Sequence, residues 1–529
     1  MLPRDLIKRC ARNFPNKVAY YMGDKRASWR QMDQRSEALA ASLQKLGVGK
    51  GDGVGIYTQE RIEIYEHFMA CMKIGAIRVG INWRYAKEEF IHCARDSALK
   101  VIIVQASLVH QVREELAEFA RAGVLLVGYD GEHELPLDYE TLVDQGRRQP
   151  VAYPPIARDD TLFISYTSGT SGLPKGVVLT HGGLYDVIVH SVPAVGLSPD
   201  DIWYMPAAAS WVVIAMNVWG LANGMASVIP DGVFDPKAYL RDVQRLGVTI
   251  VMQVPTTMRW IIREYATGEY DFSSVRMLVF GSSPASPELI TQMHETWPDC
   301  ELLQLYGQTE VTGGWVTFMT PADYRLAFNG RPELLASVGR CAVHFEMSVR
   351  DADGNELPPG EKGDLWMRGT PVMKEYLNLP DKTAEVLPGD GWLRSHDIVS
   401  IDEDGYVFLH DRKNFLIITG AVNVFPASVE AILMTHPAIE EVAVVGVPHP
   451  EWGEAVVAVV KLREGEHLTQ EALIEACKGR LSKPEIPKHV LFVDHALPKT
   501  LTAKLQKNEI RRWVLADPAR LPWAIGTAA

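Results

Sequence analysis

The residues with the clearest chemical purpose lie in one short run, Tyr166-Thr167-Ser168-Gly169-Thr170-Ser171-Gly172-Leu173-Pro174-Lys175-Gly176, directly after the strand-like TLFIS. Glycines and small hydroxyl residues let the backbone turn tightly and bring several N–H donors against an anion with no Cβ in the way. Lys175 adds a mobile positive charge. Such a loop suits a nucleoside triphosphate. It is not a Walker A loop, because Pro174 stands where that motif has Gly, and Gly176 stands where a Ser or Thr would ligate magnesium. A flexible Ser/Gly linker is a poor alternative, since linkers rarely follow a buried strand or end in Pro-Lys-Gly.

YTSGTSGLPKG resembles the phosphate-loop signature of the adenylate-forming superfamily, which holds acyl-CoA synthetases, peptide-synthetase adenylation domains and luciferases. The companion motifs follow in the family's order, between about Asp5 and Trp513. The resemblance implies an AMP-forming enzyme that binds ATP and Mg²⁺, with Thr167, Ser168, Gly169, Thr170, Ser171, Gly172 and Lys175 around the phosphates. Leu305-Tyr306-Gly307-Gln308-Thr309-Glu310 is similar to the family's Y-G-x-T-E segment. By that likeness Tyr306 stacks on adenine beside Gly307, Thr309 reaches the α-phosphate, and Glu310 holds the metal that bridges phosphates. Gly281-Ser282-Ser283-Pro284 matches the strand-end turn that lines the adenine pocket.

Asp397, in DGWLRSHD, matches the family's aspartate that accepts from both ribose hydroxyls, although the usual Thr-Gly before it reads Ser395-His396. Arg412 matches the arginine that contacts the ribose, and Asn414 takes the hinge position where lysine or aspartate is common. Gly420 corresponds to a glycine whose loop approaches the pantetheine arm of coenzyme A after the C-terminal domain rotates, with Ala421-Val422 in place of a common Gly-Glu. Pro498-Lys499-Thr500-Leu501-Thr502-Ala503-Lys504 resembles the C-terminal P-x-T-x-x-G-K signature, with Ala503 replacing glycine. Lys504 is the leading catalytic candidate: a lysine there sits between the attacking carboxylate and the α-phosphate and neutralises charge as it builds. GDLWMRG, Tyr376, Pro380 and Thr383 resemble a block that is mostly structural in the family, and no chemistry is assigned to them.

These parts imply activation of a carboxylic acid to an acyl-adenylate with loss of pyrophosphate. Positioning and charge neutralisation do the catalysis, and Lys504, Lys175, Glu310 and Thr309 carry it. Coenzyme A is the expected acceptor; an amine, as in amide synthetases, and a separate carrier protein are the alternatives. A nucleotide-binding sensor without turnover is the reading from another class, disfavoured because Lys175, Glu310, Asp397 and Lys504 are all present. The acid is expected to be apolar, whether aromatic, cyclic or of medium chain length, because AAASWVVIAMNVWG after Met205-Pro206 is uncharged. Trp211 is the pocket candidate, with Gln304, Gly313 and Gly314 at the far end by resemblance.

The elements that must position these residues read as apolar strand, turn and amphipathic helix in alternation: Gly53–Thr58 into Glu60–Ile74, Val248–Val254 into Thr256–Tyr265, Arg276–Phe280 into Glu288–Thr296. That pattern predicts an α/β fold of doubly wound sheets, with ligands at the strand ends. From about residue 330 to 411 short β-rich runs and Asp-Gly and Pro-Gly turns predict a small antiparallel subdomain. The expected division is an adenylation domain over 1–411 and a mobile α+β domain over 412–529. Between Trp203 and Ile229 no side chain is charged, but Pro206, Asn217, Gly220, Asn223 and Gly224 interrupt the run, so a buried segment is expected rather than a membrane span. A net charge of −13 argues against a broad basic face for nucleic acid and leaves room for a local cationic pocket for a phosphate ligand. The six cysteines form no C-x-x-C pair and read as reduced thiols in a cytoplasmic monomer or homodimer with no integral membrane association.

Overall fold

The computed structural model describes residues 1–167, 173–283, 285–412, 415–419, 422–478, 480–499 and 505–523, and of Asp411, Arg412 and Asn423 the backbone only. The chain divides into two compact units, Met1–Glu346 with Met367–Leu393, and Met347–Trp366 with Arg394–Ala529.

The first unit holds two large sheets. In one, the strands Ile202–Tyr204, Ala226–Val228, Ile250–Gln253, Met277–Gly281 and Glu301–Tyr306 run parallel, and antiparallel strands lie at its margins. In the other, Gly53–Thr58 is flanked by parallel Ile77–Asn82 and Leu99–Gln105, and Thr161–Thr167 lies beside Ile77–Asn82. Strands buried on both faces need no polar alternation, which is why they read as near-continuous apolar runs. The expected strand–helix pairs are present with shifted edges: helices span Glu63–Ile74, Pro255–Tyr265 and Pro287–Thr296. The last is set by sequence alone, with Ser286 accepting from the Leu289 N–H and a proline in the first turn.

The uncharged run from Trp203 to Ile229 folds as a strand, a turn, two four-residue helices and another strand, all largely buried. No described helix is long and apolar enough to cross a membrane.

The second unit carries two sheets of its own. One joins Glu346–Arg350, Gly363–Arg368, Leu393–Ile401 and Val407–Arg412. The other pairs Ile439–His449 antiparallel with Gly453–Leu462, which also pairs with Ile417–Thr419 and with His489–Val493. Alternate residues of Ile439–His449 enter separate cores: Val442 and Val444 pack with Val429, Leu433 and Leu473, whereas Ala443, Val445 and Val447 pack with Ile510 and Val514. Helices therefore close both faces of this sheet.

Candidate active site

The phosphate loop connects two antiparallel strands. Thr161–Thr167 pairs antiparallel with Lys175–Thr180, and Thr167 stands opposite Lys175 as the last pair before the loop. Ser168 to Gly172 lie outside the described residues. A Walker A loop runs from a strand into a helix; here the chain returns as a second strand, and a helix follows only at His181–Val195, capped by the Thr180 hydroxyl. Lys175 is thereby fixed at a strand start rather than at a helix N-terminus.

Gly281 and Tyr306 end neighbouring parallel strands, with Gly281 in register with Leu305. A Cβ on Gly281 would stand 2.3 Å from the Leu305 carbonyl oxygen, so only glycine fits this contact. Ser282 follows with φ +65° and is half-buried, as is Ser283. After Tyr306 and Gly307 the chain makes a short 3₁₀ turn, Thr309–Val311, which Thr312 leaves with φ +61°. Left-handed non-glycine residues cost energy and concentrate where a site over-determines the backbone. Thr312 is held there by its hydroxyl, which donates to the Pro371 carbonyl at 2.5 Å.

One side chain joins the two sheets' contributions. The Tyr376 hydroxyl donates to Glu310 Oε1 at 2.7 Å, and the Lys175 ammonium lies 4.6 Å from the centroid of the Tyr376 ring. Tyr376 is placed by backbone pairing with Val177, and the Met373 N–H donates to the Glu310 carbonyl at 2.7 Å. The 373–377 segment thus spans from the phosphate hairpin to the glutamate. Sequence reading assigned Tyr376 no chemistry. The signal available was weak, a single aromatic residue among structural ones, and the contact crosses 66 residues of chain.

On the acid side, Ala208–Trp211 forms a turn in which the Trp211 N–H donates to the Ala208 carbonyl at 3.1 Å. Trp211 is half-buried. Gly313, with φ +62°, packs so closely on this segment that a Cβ would come 3.0 Å from the Val212 carbonyl oxygen, and Gly314 follows directly. Trp211, Gly313 and Gly314 are therefore brought together. Gln304 is buried with its amide oxygen accepting from the Tyr324 hydroxyl at 2.9 Å.

The second unit presents its own candidates. Asp397 is directly opposite Arg412 on antiparallel strands, so the two residues expected at the ribose share one rung. The Asp397 N–H donates to Ser395 Oγ at 3.0 Å, and that hydroxyl donates to the Leu365 carbonyl at 2.7 Å. His396 takes φ +60°, a conformation a glycine would adopt freely, and is held in it by its N–H to Asp364 Oδ1 at 3.1 Å. Arg394 Nε donates to the same carboxylate at 2.7 Å. Burial alone would push Asp364 up, but hydrogen bonds from His396 and Arg394 hold it below the ordinary carboxylate value.

Asn414, Gly420 and Lys504 lie outside the described residues, as does the Arg412 side chain. On either side of the stretch that holds Lys504, Lys499 pairs with Leu505 in an isolated antiparallel bridge, and the Gln506 N–H donates to the Pro498 carbonyl at 2.9 Å. The neighbouring lysines are engaged, Lys499 with Glu441 and Lys507 with Glu430 at 2.9 Å.

Residues 7–377 match the model of the AMP-binding enzyme family, and residues 428–504 match that of the AMP-binding enzyme C-terminal domain. The chain is 32% identical over 510 residues to an indoleacetate–CoA ligase of Aromatoleum aromaticum, an alignment covering 96% of this chain and 97% of that protein. It is 33% identical over 508 residues to a feruloyl-CoA synthase of Amycolatopsis sp, covering 95% and 97%. Among solved structures it is similar to the amide bond synthetase McbA from Marinactinospora thermotolerans, at 27% identity and a TM-score of 0.84 over 97% of this chain and 100% of that one. With the large domain and the C-terminal domain both matched in order, the chain belongs to the AMP-binding enzymes, the adenylate-forming superfamily that its phosphate loop resembles.

Proposed function

We propose that this enzyme uses ATP to activate an apolar carboxylic acid, aromatic, cyclic or of medium chain length, and passes the acyl group to the thiol of coenzyme A. The observation that carries the reading is the Lys175–Tyr376–Glu310 line, which sets a cation from the phosphate hairpin and an anion from the tyrosine strand end on one aromatic side chain. A free carboxylate resists substitution because oxide would have to leave. Attack of its oxygen on the α-phosphate expels pyrophosphate and forms a mixed anhydride, from which AMP departs when the thiol sulfur attacks the carbonyl. The uncharged turn bearing Trp211 suits an apolar acid, and both curated relatives named above are ligases or synthases of acyl-CoA.

Mg²⁺ fits Glu310. The carboxylate is half-buried with one oxygen fixed by Tyr376, and no three His, Cys, Asp or Glu side chains cluster as a metal cage among the described residues. Mg²⁺ accompanying a triphosphate is commonly held by one or two carboxylates, with phosphate oxygens and water completing the shell. When bound it neutralises phosphate charge as pyrophosphate leaves. Lys175 contributes charge on the phosphate side, and Lys504 is assigned to the attacking carboxylate. Asp397 and Arg412 hold the ribose, and the chain pivots at Asn414 to bring Gly420 to the pantetheine arm. The working domains on this reading are 1–411 and 412–529.

Discharge onto an amine is the second reading, favoured by the likeness to McbA along nearly the whole chain. A pyrophosphate-release screen over carboxylic acids, run with coenzyme A, with an amine and with neither, tests both readings. Acid-dependent release with thiol consumption supports the ligase; amide formation without thiol consumption supports the second reading. No acid-dependent release from any acid refutes both.

A further inference from the structure

The Ala208–Trp211 turn leaves the N–H and carbonyl of its second residue, Ala209, unpaired within the turn. Two buried charged side chains from elsewhere in the same unit take them up. Both oxygens of Glu60 accept from the Ala209 N–H, at 3.0 and 3.1 Å, and Arg78 Nη2 donates to the Ala209 carbonyl at 2.5 Å. Arg78 is 0% exposed and Glu60 8%. Arg78 extends over Gly80, where a Cβ would stand 2.6 Å from Nη2 and 2.8 Å from the Ser210 Cα, so the glycine leaves the space through which the guanidinium reaches the turn. Its Nε and Nη1 have no hydrogen-bond partner among the described residues. Neutral side chains would satisfy one amide and one carbonyl without the desolvation cost of two buried charges. What the charged pair adds is a grip on both ends of one residue, and dependence of that grip on ionisation.

We propose that Glu60 and Arg78 are positioning residues: they clamp Ala209 from both ends, fix the turn that carries Trp211, and so determine which acids the enzyme accepts. The last step rests on the reading above that Trp211 lines the acid pocket. The charged and titratable groups around Glu60 are Arg78, Arg84 and Arg61, with Tyr65 beside it; around Arg78 they are Glu60, Tyr65, Cys71 and His67, and the Phe68 ring lies 5.6 Å away. Burial pushes the Glu60 carboxyl up to about 7 against the opposing effects of the Ala209 hydrogen bond and these arginines. Below that pH a protonated Glu60 carries no charge to answer Arg78, and the clamp weakens.

Hydrogen–deuterium exchange of the full-length enzyme tests the clamp directly, comparing wild type, Glu60→Gln, Glu60→Ala and Arg78→Met on peptides covering 203–217 and 161–180. Glu60→Ala should speed exchange at 203–217 about 10-fold, the loss of one charge-assisted hydrogen bond, with partial rescue in Glu60→Gln and no change at 161–180. After correction for intrinsic exchange, wild type should speed up at 203–217 as pH falls through about 7, and Glu60→Gln should not. Initial rates with ferulate, indole-3-acetate and hexanoate as probe acids should show KM for acid raised and the order of the three altered, with KM for ATP unmoved. Unchanged exchange at 203–217 in both Glu60 variants overturns the proposal, and so does an equal rise in KM for ATP and acid. If wild type turns over none of the three, the functional reading fails for those acids and the exchange data alone decide whether the clamp exists.

Discussion

Replacing Tyr376 by phenylalanine removes one hydroxyl and leaves the ring that faces Lys175. The lost contact is a hydrogen bond from a neutral hydroxyl to the Glu310 carboxylate at 2.7 Å. Bonds of that kind, with one ionised partner, contribute about 1.5–3 kcal/mol, so kcat/KM for pyrophosphate release should fall by about 10- to 150-fold. The deficit should appear chiefly as a higher half-saturating Mg²⁺ concentration, since the freed carboxylate is no longer aimed, and excess Mg²⁺ should recover part of it. Tyr376→Leu also removes the ring 4.6 Å from the Lys175 ammonium, and a cation–π contact of about 0.5–1 kcal/mol adds about 2- to 5-fold more. The measurement is pyrophosphate release at saturating acid with ATP and Mg²⁺ varied separately. A phenylalanine variant equal to wild type in kcat/KM and in Mg²⁺ requirement would refute the claim that Tyr376 organises the site.

Lys504→Ala should lower adenylate formation by about 10²–10³ while ATP binding is largely kept, and undiminished ATP–pyrophosphate exchange in that variant would remove the lysine from the mechanism. Gly420→Leu should slow thioester formation more than adenylation, judged by running the two half-reactions separately; equal losses would count against a second step that depends on domain rotation. Gly281→Ala forces a Cβ to 2.3 Å from the Leu305 oxygen, so the strand end must shift at a cost of about 1–3 kcal/mol. Thermal melting should register this as a fall of a few degrees, and an unchanged Tm would show that the two strand ends separate freely.

Much of the scaffold could be read from the chain because local chemistry determines it. Ser286 before Pro287 starts a helix, and the alternating strand and helix periods announce a wound sheet. The helix expected from Glu60 starts instead at Glu63, and the reason is tertiary: the Glu60 carboxylate is drawn to the Ala209 amide, 149 positions along the chain. Arg78 hides in a similar way, a lone cation in an apolar strand whose partner belongs to another sheet's loop. Tyr376 escaped for the same reason, since its role depends on Glu310 and Lys175 being near, and no residue spacing encodes that. The left-handed turn at His396 was legible only as a departure, Ser-His where Thr-Gly is usual; its support comes from Asp364, 32 positions earlier, and leaves no local sign.

The sheet built on Ile439–His449 and Gly453–Leu462 has a practical consequence. Its two cores draw on residues from Ile417 onward, so this portion of the chain seals its own grease on both sides. A body closed in that manner needs no other part of the chain to cover its hydrocarbon. It should also survive excision as a separate polypeptide, open to isotope labelling by itself and to recombination with the remainder.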